Sequence, residues 1–300
     1  AANTPELFEA HYSVPMTGAV LNTINTRLDS KTVSYILNHA DTKILIVDRQ
    51  FGSVVNKALE SLGKKILVID IIDKQEELKD AKKIGDLEYE SFLETGDKNF
   101  IWKRPDDEWQ AISLNYTSGT TGNPKGVVYH HRGGYLMATG SVTAWNMPNR
   151  LNFLYTVPMF HCNGWCYPWT LAMLHARVIC IRNIRAKEIF DLITLHKITH
   201  FGGAPIILNM LANAPKNEQK KLEHKVYVLT AAAPPPSIIF KKMSELGFEV
   251  MHVYGLTETY GHILQCAWNG EWNELNADEK ADISSRQGVR YPNTEDVKVM

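Results

Sequence analysis

The sequence predicts an α/β fold in which two mostly parallel sheets are covered by helices. Two observations lead to this expectation. Short apolar runs alternate with stretches whose apolar residues recur every three or four positions, and a second series of the same kind follows the first. Alternation of strands and helices is typical of parallel sheets with helices packed on their faces.

The first series predicts strands separated by two amphipathic helices. One helix begins at Asp29 or Ser30, both of which are good capping residues, and another ends before Gly63. Their apolar faces are formed by Val33, Ile36, Leu37, Ala40, Val54, Val55, Ala58, Leu59 and Leu62. Strands are expected at residues 19–21, 44–47, 65–69 and 111–116, and a charged surface helix and loop at residues 73–96.

The second series repeats the pattern after a cluster of turn-forming residues at positions 146–149. Helices are expected around Ile189 and Ile239, the second of them closed by Gly247. Strands are expected at residues 152–157, 177–181, 200–203, 226–230 and 249–254. We therefore predict a first α/β subdomain over 1–147, a second over 148–275 and a further piece over 276–300.

Composition excludes several classes of protein. The chain has 300 residues, 44% hydrophobic and 22% charged, which argues against disorder. Its net charge of −1 argues against a nucleic-acid-binding surface, and no apolar run approaches the roughly 20 residues of a membrane span. The four cysteines are too few and too scattered for a disulfide scaffold, so reduced thiols in an intracellular protein are expected. Cys162 and Cys166 lack a second ligand pair at zinc spacing, which argues against a zinc site.

The most informative stretch is a loop of glycines and hydroxyl residues that follows the predicted strand 111–116. Glycines let backbone N–H groups approach an anion closely, hydroxyls add donors, and Lys125 supplies a compact positive charge. The loop therefore resembles a cradle for a polyphosphate. It is not a Walker A loop, because Pro124 precedes the lysine and Gly126 follows it.

Three further stretches carry candidate chemistry at the ends of predicted strands. Tyr254 is placed to stack on a purine, and Glu258 offers a hard oxygen suited to Mg²⁺. The run of alanines and prolines at 230–236 leaves room for a flat ligand. His161, beside aromatic residues, is a candidate hydrogen-bond donor to a carboxylate.

Together, residues 116–126 and 254–259 resemble the two signatures of the adenylate-forming enzymes. That family includes acyl-CoA synthetases, aryl-CoA ligases, luciferases and the adenylation domains of peptide synthetases. Residues 161–169 and 265–268 are most similar to the short- and medium-chain acyl-CoA synthetases, including 3-methylmercaptopropionate-CoA ligases and plant acyl-activating enzymes. The resemblance implies that residues 276–300 begin a small β-barrel, and that the chain is an internal part of a larger enzyme and weakly active alone.

The resemblance also implies a reaction and a role for each candidate residue. A carboxylic acid reacts with ATP in the presence of Mg²⁺ to give acyl-AMP, and coenzyme A then takes the acyl group. Catalytic roles fall to His161, Lys125 and Glu258. Phosphate-binding roles fall to Thr117, Ser118, Gly119, Thr120, Thr121, Gly122 and Lys125, and Mg²⁺ is held by Glu258 and Thr120. The adenine-binding side is formed by Ala232, Ala233, Pro234, Tyr254, Gly255 and Thr259. The acid is bound by His161, Trp165 and Ala232.

Three alternatives stay open. An aryl-CoA ligase shares the same chemistry, whereas a peptide-synthetase adenylation domain is disfavoured because residues 155–169 contain no acidic side chain. A non-catalytic nucleotide-binding homologue is disfavoured because Lys125 and Glu258 are both present. We expect a cytoplasmic protein, or a peroxisomal one in a eukaryote, with no nucleic-acid partner and with a homodimer as a possible assembly.

Overall fold

A computed structural model describes residues 1–73, 81–117 and 122–298. The chain divides into two compact units, Ala1–His131 and Arg132–Met300. The subdomain boundaries expected after residues 147 and 275 stay predictions. Within the described ranges, every helix is too short or too polar to span a bilayer.

The first unit holds two small sheets and four α-helices within its described residues. The helices are α1 (Pro5–Met16), α2 (Ser30–His39), α3 (Gly52–Glu60) and α4 (Tyr89–Glu94). The strands are β1 (Leu21–Asn22), β2 (Ile44–Asp48), β3 (Leu67–Ile71), β4 (Leu87–Glu88), β5 (Ala111–Thr117) and β6 (Lys125–His130). One sheet has the order β1-β5-β6 and the other β2-β3-β4, and all their pairings are parallel except that of β5 with β6.

Local sequence explains the two central helices of this unit. The Asp29 carboxylate accepts a hydrogen bond of 2.9 Å from the Thr32 backbone N–H, which caps the start of α2. The apolar face of α2 then buries Val33 and Leu37 against Ala58 of α3. Capping and apolar spacing were both visible in the sequence, and both helices are confirmed.

The second unit is built on a seven-stranded sheet of order β13-β12-β11-β10-β9-β7-β8. Its strands are β7 (Asn152–Tyr155), β8 (Arg177–Cys180), β9 (His200–Gly203), β10 (Val226–Thr230), β11 (Phe248–Leu256), β12 (Gly261–Gln265) and β13 (Val289–Arg290). Its helices are α5 (His131–Ala144), α6 (Cys162–Trp165), α7 (Tyr167–Met173), α8 (Ala186–His196), α9 (Pro205–Ala212), α10 (Ser237–Glu245) and α11 (Ala277–Ser284). The pairings among β7 to β11 are parallel, and those of β12 are antiparallel.

The core of the second unit lies between this sheet and the helices on one of its faces. Phe201 and Val228 of the sheet pack in one cluster with Phe190 of α8, and each of the three is 0% exposed. Met243 of α10 closes the same cluster and is also fully buried. Burial of such side chains contributes about 1.5–3 kcal/mol each.

The structure confirms the α/β class with parallel-rich sheets and corrects several details. The strand expected at 19–21 begins only at Leu21, since Val20 is 45% exposed and the pairing with β5 starts at Leu21. Helices α1, α5 and α9 were not expected from the sequence. Residues 74–80 of the expected charged surface segment lie outside the described residues. Residues 276–298 form α11 and β13, and the barrel stays a prediction.

Candidate active site

The glycine–hydroxyl loop is carried by the β5–β6 hairpin of the first unit. Thr117 and Lys125 are paired across the two strands, and Tyr116 is paired with Gly126. The hairpin therefore brings the two ends of the loop together and leaves Lys125 and Gly122 exposed. The predicted phosphate-binding residues between these ends lie outside the described residues, namely Ser118, Gly119, Thr120 and Thr121.

The base of the hairpin is fixed by an aromatic contact with α2. The Tyr116 hydroxyl lies 2.7 Å from Nδ1 of His39, and the His39 ring stacks on Tyr35. Burial raises the pKa of Tyr116, so its hydroxyl stays protonated and able to donate. A Cβ at position 126 would lie 3.5 Å from the Tyr116 ring and 3.0 Å from Leu114, so Gly126 lets β6 pack closely on this ring. His39 was not predicted as part of the site, because nothing in its local sequence links it to residue 116.

The other predicted residues lie at one edge of the sheet in the second unit. The parallel strands β7, β9, β10 and β11 end at this edge. The chain runs from β7 to β8 on one side and returns to β9 on the other, which makes β7/β9 the topological switch point. Ligands of open α/β sheets bind outside the carboxyl ends of strands at such a point. His161 follows β7, Ala232 follows β10, and Tyr254 lies within β11.

The loop after β7 is held across the switch point by hydroxyl groups. The Thr156 hydroxyl donates to the Gly202 carbonyl of the β9 strand, and the Tyr155 hydroxyl donates to the Gly164 carbonyl at 2.8 Å. His161 is exposed at the start of the short turn α6. A Cβ at position 164 would lie 2.0 Å from the Tyr155 hydroxyl, so only glycine fits there. These supports were not predicted.

Trp165, four residues after His161, points into the protein. It is 9% exposed and packs edge-on against His262, with ring centroids 6.4 Å apart. Tyr167 and Tyr291 also flank His262. Burial lowers the pKa of His262 to about 3, so the imidazole is neutral. The predicted acid-binding role of Trp165 stays a prediction, with His262 as a neighbour that the sequence did not suggest.

The second signature forms the end of β11 and a tight 3-10 turn, Thr257–Thr259. Tyr254 is half-buried, and Glu258 is exposed on the turn. The Thr259 hydroxyl accepts from the Leu256 N–H at 2.9 Å and lies 2.7 Å from the Gly261 carbonyl. This hydroxyl therefore stabilises its own turn, and the contact of Thr259 with the nucleotide stays a prediction.

Two small residues shape the surface beside Tyr254. A Cβ at position 255 would lie 1.8 Å from the Gly261 carbonyl, so Gly255 allows β12 to approach β11. Ala232 adopts a φ of 80°, a left-handed conformation that is uncommon outside glycine. Ala232, Ala233 and Pro234 are exposed, whereas Ala231 is buried. The exposed alanines follow β10, which pairs with the strand β11 that carries Tyr254.

The described residues contain no group of three histidine, cysteine or acidic side chains that could hold a metal ion alone. Glu258 is thus a single exposed carboxylate. This fits Mg²⁺, which is usually held by one or two carboxylates together with substrate phosphates and water. It does not fit a closed structural metal site.

Comparisons with known proteins identify the family of the chain. The family model described as "AMP-binding enzyme" matches residues 1–300. The chain is 46% identical to an acetate/butyrate–CoA ligase of Arabidopsis thaliana named as peroxisomal, covering 100% of this chain and 55% of the relative. It is 47% identical to an acetate–CoA ligase of Humulus lupulus, covering 97% and 53%. The chain therefore spans about half the length of the curated relatives it matches.

A solved structure shows the same fold. The N-terminal domain of FACL13 from Mycobacterium tuberculosis superposes with a TM-score of 0.74 at 25% identity, covering 89% of this chain and 64% of that one. The likeness extends across both compact units. The α/β architecture found here is therefore that of a known N-terminal domain.

Proposed function

Because the chain belongs to the AMP-binding enzyme family, we propose that the complete protein activates a small carboxylic acid with ATP and passes the acyl group to coenzyme A. The observation that carries this proposal is the presence in one chain of two sets of groups. The β5–β6 hairpin presents Lys125, and the sheet edge of the second unit presents His161 and Glu258.

The reaction runs in two steps whose atoms balance. A carboxylate oxygen of the acid attacks the α-phosphorus of ATP, the bond to the β-phosphate oxygen breaks, and pyrophosphate leaves. The thiolate of coenzyme A then attacks the acyl carbon, and AMP leaves. Lys125 and the loop around Thr117 and Gly122 stabilise the charge that grows on the departing pyrophosphate, which is the usual way proteins assist phosphoryl chemistry.

Magnesium, when bound, neutralises phosphate charge beside the reacting phosphorus. We assign Glu258 as its protein ligand, because the carboxylate is exposed on a rigid turn at the sheet edge. Thr120, the second predicted ligand, lies outside the described residues. The turn is fixed internally by the Thr259 hydroxyl, so we assign Thr259 to supporting Glu258, and its contact with the nucleotide stays a prediction.

Adenine and the acid are assigned to opposite parts of the same sheet edge. The half-buried Tyr254 ring and the low surface of Ala232, Ala233 and Pro234 suit a flat purine. His161 is assigned to orient the acid carboxylate by donating a hydrogen bond. Trp165, which is buried, is assigned to limit the length of the acid.

The substrate class is inferred to be short aliphatic acids. Trp165 supports this, and so do the relatives named for acetate and butyrate. A cytoplasmic or peroxisomal location is proposed on the same basis, since one relative is named as peroxisomal. A homodimer stays a prediction.

The test is ATP–pyrophosphate exchange by the complete protein with a panel of acids. Exchange with acetate, butyrate or 2-methylpropanoate, and thioester formation on adding coenzyme A, is the expected result. Exchange only with aromatic acids would change the assignment to an aryl-CoA ligase. Binding of ATP without exchange for any acid would indicate a non-catalytic homologue.

A further inference from the structure

The turn that follows His161 is wound in the left-handed sense. The φ angles of Cys162, Asn163, Gly164, Trp165 and Cys166 are 46°, 41°, 57°, 60° and 60°. A left-handed conformation costs roughly 1–2 kcal/mol per residue for residues with a Cβ. Such a turn persists only where surrounding contacts hold it.

Two buried thiols connect this turn to the turn that carries Glu258. Sγ of Cys162 lies 3.4 Å from the Thr257 hydroxyl, and the Cys166 thiol donates to the Tyr260 carbonyl at 3.4 Å. Thr257 directly precedes Glu258, and Tyr260 follows the turn. The two sulfur contacts therefore lie at the two ends of the segment that presents the carboxylate.

The chemistry of these thiols suits a structural contact rather than nucleophilic attack. Cys162 is 5% exposed and Cys166 is 0% exposed. Burial raises the pKa of Cys166, so this residue stays a neutral thiol and acts as a hydrogen-bond donor. The His161 ring nitrogens lie 3.9 and 4.0 Å from Sγ of Cys162, which places this sulfur between the imidazole and Thr257.

A third contact lies at Tyr260, which packs against Gly133 of α5. Tyr260 adopts a φ of 65°, and a Cβ at position 133 would lie 2.5 Å from its ring. Tyr260 is thus held between Gly133 of α5 and the Cys166 thiol. The turn of Glu258 is therefore held at Thr257 by Cys162 and at Tyr260 by Cys166.

We propose that Cys162 and Cys166 are positioning residues that hold the turn of Glu258 against the loop of His161. They fix the separation between the group that orients the acid and the group that binds the metal. This inference rests on the proposed function, since it assigns those roles to His161 and Glu258. It also explains why two cysteines lie in a left-handed turn, because their thiols reach both ends of the segment that carries Glu258.

The test compares Cys162→Ala with Cys162→Ser in the complete protein. Binding of ATP with Mg²⁺ is measured by titration calorimetry at a series of Mg²⁺ concentrations, and the KM for acetate by pyrophosphate exchange. Cys162→Ala is expected to raise both the Mg²⁺ concentration needed for half-saturation and the KM about 10-fold, the usual cost of losing a support behind a metal ligand. Cys162→Ser keeps a polar contact with Thr257 and is expected to stay within about threefold of the wild type.

Cys266→Ala is the matched control. Cys266 is 8% exposed and its thiol donates to the Ile283 carbonyl at 3.2 Å, so the substitution removes the same kind of buried contact away from Glu258. It is expected to lower the unfolding temperature about as much as Cys162→Ala while leaving Mg²⁺ dependence and KM unchanged. If Cys162→Ala does not fold, Cys166→Ala and Cys166→Ser give the same comparison at the Tyr260 end.

The failure of this inference is distinguishable from failure of the proposed function. If the wild-type protein exchanges pyrophosphate but Cys162→Ala matches Cys266→Ala in both measurements, the two cysteines have no positioning role. If Cys162→Ser is as impaired as Cys162→Ala, the polar contact is not what matters, and the inference is again overturned. If the wild type exchanges pyrophosphate with no acid, the proposed function itself is wrong.

Discussion

The hairpin of the first unit and the sheet edge of the second differ in how their sequences encode a site. The hairpin keeps its candidate groups within one contiguous run, with Thr117 and Lys125 paired at its base. The sheet edge draws His161, Ala232 and Glu258 from loops that follow three different strands. The groups of the hairpin can be recognised from the order of residues in the sequence. The groups of the sheet edge come together only through strand register and close approach of the backbone.

This difference predicts where substitutions act. In the hairpin, removal of a charged group affects chemistry more than folding, because Lys125 is exposed. At the sheet edge, the supports are buried, so their loss lowers stability as well as activity.

The largest effect is expected at the hairpin. Lys125→Ala removes the charge that stabilises the departing pyrophosphate, and we expect pyrophosphate exchange to fall about 100- to 1,000-fold. The unfolding temperature is expected to stay within a degree or two of the wild type, since the side chain is exposed. Lys103→Ala, at another exposed lysine of the same unit, is the control and is expected to change neither quantity. An equal loss of activity in both variants would contradict a local role for Lys125.

The next effect is on stability at the sheet edge. Gly164→Ala would place a Cβ 2.0 Å from the Tyr155 hydroxyl at a φ of 57°. We expect the free energy of unfolding to fall by about 3 kcal/mol, measured by denaturant titration. Gly270→Ala, where nothing lies within 4 Å, is expected to change it by no more than about 0.5 kcal/mol. Equal effects would show that the left-handed turn is not a fixed support.

The third prediction concerns pH and two buried histidines of the second unit. Burial lowers the pKa of His262 to about 3 and that of His200 to about 4, from an ordinary value of 6.5. Between those values and 6.5 the unfolded chain binds protons that the folded chain does not. Stability is therefore present above pH 6.5 and is lost as the pH falls, by about 2 kcal/mol per histidine at pH 5.

Thermal unfolding between pH 4.5 and 7.5 measures this effect. His262→Leu is expected to reduce the pH dependence by about half, because one of the two groups no longer titrates. His175→Gln removes an exposed histidine and is expected to leave the pH dependence unchanged. An unaltered pH dependence in His262→Leu would mean that this imidazole is not a neutral core group.

The smallest effect is expected behind the hairpin. Tyr116→Phe keeps the ring beside Gly126 and removes the hydroxyl that lies 2.7 Å from Nδ1 of His39. We expect a loss of about 1 kcal/mol in unfolding free energy, the typical value of one hydrogen bond. Tyr135→Phe, at a tyrosine that is 63% exposed, is the control. If Tyr116→Phe is as stable as Tyr135→Phe, the hydrogen bond with His39 does not stabilise the hairpin.

Sequence reasoning succeeded where local chemistry determines structure. The cap at Asp29 and the apolar spacing of α2 and α3 are short-range patterns, and the structure confirms them. The alternation of strands and helices likewise predicted the parallel-rich sheets, because that topology follows from the order of elements.

It failed where structure depends on contacts between distant residues. No local signal predicts a left-handed turn across Cys162 and Trp165, since non-glycine residues seldom adopt positive φ. The hydrogen bonds of the Thr259 hydroxyl with Leu256 and Gly261 follow from the tight turn, and a contact of Thr259 with the nucleotide stays a prediction. The contact between the His262 imidazole and Trp165 could not be predicted, because it depends on the pairing of β12 with β11.

Isolation of the reaction intermediate shows whether these residues serve acid activation. The complete protein is incubated with ATP, Mg²⁺ and labelled acetate without coenzyme A, quenched with acid, and analysed by mass spectrometry for acetyl-AMP. We predict acetyl-AMP in amounts comparable to the enzyme, its conversion to acetyl-CoA when coenzyme A is added, and its loss in Lys125→Ala and Glu258→Gln. Formation of ADP with acetyl phosphate would show that the acid is not activated as acyl-AMP. Amounts of acetyl-AMP in those two variants equal to the wild type would show that Lys125 and Glu258 do not serve acid activation.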